Sequence, residues 1–152
     1  MKKYIISFLF LMASMNSFSQ TCEEREGKLL EAIGGFSASM LYNTYGLIGS
    51  ISDGFTHDAY DALTISDLMD AQKKLADNLV KVVEELKSGG FLKDKEDQNF
   101  AISVINILKG LKKQAQLLED YANNKSRQKQ EAYDQQRKQN WSAISKLMGI
   151  AE

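Results

Sequence analysis

The sequence predicts an all-α protein, an antiparallel up-down-up-down four-helix bundle following an N-terminal signal peptide. Three observations carry that prediction. No proline occurs in 152 residues, which removes the commonest interruption of a helix. Apolar residues recur at steps of three and four along most of the chain, the spacing that lays a stripe down one helical face. Cap and turn residues then divide the chain beyond its first twenty residues into four lengths, each of which forms a rod that can bury its stripe only against another.

The first nineteen residues read as a secretory leader. Lys2 and Lys3 make a positive start, Tyr4 to Met15 an apolar stretch, and Ser17-Phe18-Ser19 a small-x-small cleavage site before Gln20. The apolar stretch is shorter than the roughly twenty residues a membrane-spanning helix needs. The expected domains are therefore a signal peptide over 1–19 and a single helical bundle over 20–152, placing the mature chain in the periplasm or outside the cell. Cys22, the single cysteine, follows Ser19-Gln20-Thr21, a poor match to a lipoprotein signal. It forms no internal disulfide, and it leaves a free thiol or a bridge between chains in an oxidising compartment. Without Lys2 and Lys3 the 19 basic residues fall to 17 against 20 acidic ones, a formal charge of −3, which gives no global attraction to nucleic acid or anionic membrane.

Thr21 with Glu24 three residues on forms a capping box that opens the first helix, whose expected inward row is Leu29, Ile33, Phe36, Met40, Leu47, Ile51 and Phe55. The second helix starts between Thr56 and Thr64, where Thr64-Ile65-Ser66-Asp67 is cap-like. Its heptad runs Ile65, Leu68, Gln72, Leu75, Leu79, Val82, Leu86, and Gly89-Gly90 supply left-handed residues at its end. Asp94 with Asp97 opens the third helix, with Phe100, Val104, Ile107, Leu111, Leu118 and Ala122 facing inward and Ile105 and Leu108 widening the stripe. Asn123-Asn124 marks a turn. The fourth helix begins near Ser126 with a polar half, in which only Ala132 and Tyr133 are apolar, and recovers a stripe at Trp141, Ile144, Leu147, Met148 and Ile150. The competing arrangement fuses the third and fourth helices into one rod that dimerises.

Three constellations are candidates for function. No charged residue occurs from Ala32 to Ser52, and Gly34, Gly35, Gly46 and Gly49 lie there beside Tyr42 and Tyr45. Glycine within a helix is unfavourable by about 1 kcal/mol relative to alanine, so these positions imply close approach of another element or a ligand. Tyr42, Asn43, Thr44, Tyr45 and the serines leave the stretch only moderately apolar, and burial within the bundle is preferred over membrane insertion. Second, Arg127, Lys129, Tyr133, Arg137 and Lys138 form a candidate docking face on the fourth helix. The aromatics there are too sparse for a nucleic-acid surface. Opposite charge clusters at Asp53, Asp58, Asp61, Asp67 and Asp70 and around the third connection should neutralise one another at one end of the bundle.

The third constellation is Asp53, His57, Asp58 and Asp61 around the only histidine, where carboxylates could share a metal or a Ser52-His57-Asp61 triad could be imagined. A second histidine or thiolate is missing, as are a nucleophile elbow and a phosphate loop. The expectation is thus a non-catalytic protein without cofactor, an interaction module of the bacterial envelope or a secreted apparatus with a protein partner still to be identified. The alternatives are a carrier of an apolar ligand in the bundle core and a bundle that inserts its uncharged first helix into membrane.

Overall fold

A computed structural model describes residues 21–150, which are helical with no strand among them. The expected leader and the expected cleavage site lie outside the described residues. Four helices follow in order: α1 (Cys22–Thr56), α2 (Ala62–Ser88), α3 (Lys95–Asn123) and α4 (Arg127–Met148). The chain divides into two compact units at Gly34 and Gly35. In the first, residues 22–34 of α1 are opened by the expected capping box: the Thr21 amide donates to Glu24 Oε2 at 3.0 Å and the Glu24 amide to Thr21 Oγ1 at 3.2 Å. None of the described residues in that unit is buried, and Cys22 is an exposed free thiol.

The second unit holds the rest of α1 and the other three helices. Its core is one apolar cluster to which every helix contributes, centred on Leu41, Ile48, Ile65, Met69, Leu111 and Ile144. The Cα traces of α2 and α3, and of α3 and α4, come within 8 Å of each other. Along the first of these seams Lys73 meets Glu119, Asp77 meets Lys112 and Glu84 meets Lys109, so the two helices run in opposite directions. α1 docks through large side chains: Phe55 lies edge-on to Tyr121 at 5.8 Å, and Tyr45 packs on Trp141 at 5.6 Å.

The inward face of α3 is as expected, whereas on α1 only Ile51 and Phe55 of the expected row are buried and the rest of the buried face is rotated from it. Leu41, Thr44, Ile48, Ile51, Ser52 and Phe55 are buried, while Phe36 is 77% and Leu47 46% exposed. Two apolar phases compete on α1, and the packed one includes Thr44 and Ser52, which a purely hydrophobic pattern passes over. The heptad of α2 is likewise half outward: Ile65, Met69 and Ala76 are buried, whereas Leu75 and Val82 are exposed.

The connections refine the expected boundaries. α2 is capped by Asp61, not Thr64, whose amide donates to Asp61 Oδ1 at 2.8 Å. Of the glycine pair ending α2, Gly89 is right-handed and only Gly90 (φ 74°) is left-handed. α3 and α4 are separate helices, broken between Asn124 and Ser126, rather than one rod; Ser126 caps α4 by accepting from the Lys129 amide.

Candidate functional site

The residues of the expected partner-docking face on α4 are divided between surface and core. Tyr133 turns inward and is 2% exposed. Arg127 Nε donates to Glu131 Oε1 at 2.8 Å, and Lys129 Nζ reaches back to the Asp120 carbonyl at 2.9 Å, satisfying an end carbonyl of α3. Lys129 and Arg137 are half-buried, and Arg127 and Lys138 are exposed.

Tyr133 belongs instead to a buried polar layer that the sequence pattern did not reveal. Gln136 Nε2 donates to Asn140 Oδ1 at 3.0 Å, and Asn140 Nδ2 donates to Gln114 Oε1 at 2.8 Å, tying α4 to α3 inside the core. Gly110 makes room for it, since a Cβ there would collide with Asn140 Oδ1. The layer is incompletely satisfied: Gln114 Nε2, Tyr133 Oη and Ser145 Oγ are buried without a hydrogen-bond partner. Burial pushes the Tyr133 phenol above its ordinary pKa, opposed by Ser52 and Gln114, which face it without reaching hydrogen-bonding geometry. The one available signal in the sequence was the spacing of Tyr133, Gln136, Asn140 and Ile144, which puts two amides on the inward face.

The glycine-rich stretch of α1 has neighbours other than those expected. At Gly35, Gly46 and Gly49 a Cβ would meet nothing within 4 Å, so no element approaches the backbone at these three positions. Gly34 is half-buried. Tyr42 and Tyr45 are brought together on Trp141 of α4, at 6.2 and 5.6 Å between ring centres. One helical step round from the buried row, α1 and α2 enclose an open groove of about 390 Å³, lined by Phe36, Met40, Asn43, Leu47, Gln72 and Leu75 together with Ser39 and Thr44. Gln72 Oε1 on its wall is buried and has no donor.

The polar turn after α1 acts as a helix end. His57 Nδ1 donates to the Asp53 carbonyl at 2.8 Å, Ala59 N to Gly54 O, and Asp58 N to Phe55 O, with Asp58 left-handed at φ 57°. Thr64, through its hydroxyl and amide, holds the exposed Asp61 carboxyl below its ordinary value. Ser52 lies in the core facing Tyr133, so Ser52, His57 and Asp61 each have a different neighbour and form no relay. Among the described residues no three of His, Cys, Asp or Glu gather as a metal site requires. The expected meeting of the first and third connections occurs in one pair, Lys125 with Asp58 at 3.9 Å, while Asp70 pairs within α2 with Lys73 and Lys74.

No family model, no curated protein and no solved structure matches the chain.

Proposed function

We propose that this chain is an exported, non-catalytic up-down-up-down bundle that acts as a protein–protein interaction module of the bacterial envelope or a secreted apparatus, and that its contact surface is the α1/α2 groove. The observation that carries this reading is the outward apolar row of Phe36, Leu47 and Leu75, which lies on folded helices yet stays in water. An apolar row held out of the core on an ordered helix is the form in which helical modules receive a partner helix. The carrier alternative is weaker because Gly35, Gly46 and Gly49, three of the four glycines that motivated it, face open space rather than an internal cavity. For membrane insertion the relevant fact is that no helix among the described residues is long and apolar enough to cross a membrane.

A photocrosslinking side chain placed at Phe36 in the producing cell tests the surface. The expected result is a discrete protein adduct that disappears when Leu75→Glu is introduced alongside; no adduct, or one indifferent to Leu75→Glu, overturns the assignment. Intact-mass measurement of the exported product tests the leader: a chain beginning at Gln20 is expected, and an uncut or diacylglyceryl-modified chain overturns that part.

A further inference from the structure

We propose that the start of α1, through the glycine pair Gly34-Gly35, is an arm that exchanges between helix and coil while the bundle beyond it stays folded. Burial does not hold this stretch in place. Leu41 is the first buried residue of α1; from Cys22 to Gly35 none is buried, and Leu29 is 61% exposed. Helices in proteins draw most of their stability from packing an apolar face, and a free helix of this length is marginal in water. The boundary between the two compact units falls between Gly34 and Gly35, so the break in packing and the glycine pair coincide.

The fold does not require glycine in this stretch. Neither Gly27 nor Gly35 has a left-handed backbone, and a Cβ on either would meet nothing within 4 Å. What remains is the effect on the helix itself: each glycine lowers the local helix–coil equilibrium about fivefold relative to alanine. Gly27, Gly34 and Gly35 together weigh against the helix by on the order of a hundredfold, whereas the capping box of Thr21 with Glu24 favours it by only about fivefold. Gly46 and Gly49 have equal room, but they lie among the buried Thr44, Ile48 and Ile51, which hold the helix there. In α3, by contrast, Gly110 is needed for the close approach of Asn140. On melting, the arm lengthens from about 20 Å to at most about 45 Å, which makes it an extensible tether between Cys22 and the bundle.

Hydrogen–deuterium exchange of the purified protein, read segment by segment by mass spectrometry, tests this. Relative to their unstructured rates, amides 26–35 are expected to exchange at least about thirtyfold faster than amides 44–55. The double variant Gly27→Ala/Gly35→Ala should slow the first group by about tenfold or more and leave the second unchanged. A smaller difference between the two groups in the wild type overturns the proposal, as does exchange of the arm that ignores both alanines. Slowing of both groups together by the alanines also overturns it, because the arm and the bundle would then open as one unit.

Discussion

Gly110→Ala should destabilise this protein, although in an exposed helix the same change would stabilise it by about 1 kcal/mol. Gly110 lies on α3 against α4, and the Cβ of alanine would occupy the space of Asn140 Oδ1. Asn140 is 3% exposed and holds both hydrogen bonds of the polar layer, so it has no solvent to retreat into. Displacing its amide loses two buried bonds of about 1 kcal/mol each and leaves the amides of Gln114 and Gln136 without partners, a further 1–3 kcal/mol. Set against the helix-propensity gain, the net loss is at least about 2 kcal/mol, or roughly 6 °C or more in Tm for a domain of this size. Urea unfolding of wild type, Gly110→Ala, Asn140→Ala and the double variant, followed by circular dichroism, measures it. With Asn140 truncated the collision disappears and the helix-propensity gain returns, so the two changes should couple by about 3 kcal/mol or more. Stabilisation by the single variant, or additivity within about 0.5 kcal/mol, would refute the argument.

Three further outcomes follow from particular residues. Tyr133→Phe removes a buried hydroxyl that has no partner and should be neutral or stabilising by about 1 kcal/mol; because the phenol's pKa is raised in the fold, the unfolded chain ionises first and wild-type stability falls as pH rises above about 10, so the variant should also lose less stability on alkaline titration. Glu119 is held below its ordinary value by Lys73 Nζ and Ser66 Oγ, each 2.6 Å away, so Glu119→Gln should weaken the fold by about 1–2 kcal/mol at neutral pH in chemical denaturation. That contribution is complete above pH about 4.5 and fades as pH falls through the lower folded value, so wild type and variant should converge there. Asp58 sits at φ 57° in the turn ending α1, where glycine is at ease, so Asp58→Gly should raise the unfolding free energy by about 0.5–1 kcal/mol; a loss would show that its exposed contact with Lys125 outweighs the backbone strain.

Element type and most boundaries were legible because they are local. Thr21 with Glu24, Asp94, Asn123-Asn124 and Ser126 each satisfy or end a helix through backbone groups within a few residues, and every one stands where the pattern places it. The inward face of α3 was equally plain, since Val104, Ile107, Leu111 and Leu118 form one broad stripe with no rival. The candidate site was far less legible. Tyr42 and Tyr45 were singled out, but their partner Trp141 is nearly a hundred residues away in sequence and was read only as part of a core stripe. The glycines suggested close packing, whereas three of them point into open space.

By itself, then, the amino-acid order determined that this chain forms helices, where most of them begin and end, and that its core draws on all four. Only the tertiary structure decided which side of α1 goes inward, because Leu29, Phe36 and Leu47 form as good a stripe as Leu41, Ile48 and Phe55, and the choice depends on which neighbours fit. It likewise decided that Gln114, Gln136 and Asn140 are interior residues: an amide is polar on its own, and its burial is tolerable only where another helix brings the matching donor or acceptor within reach.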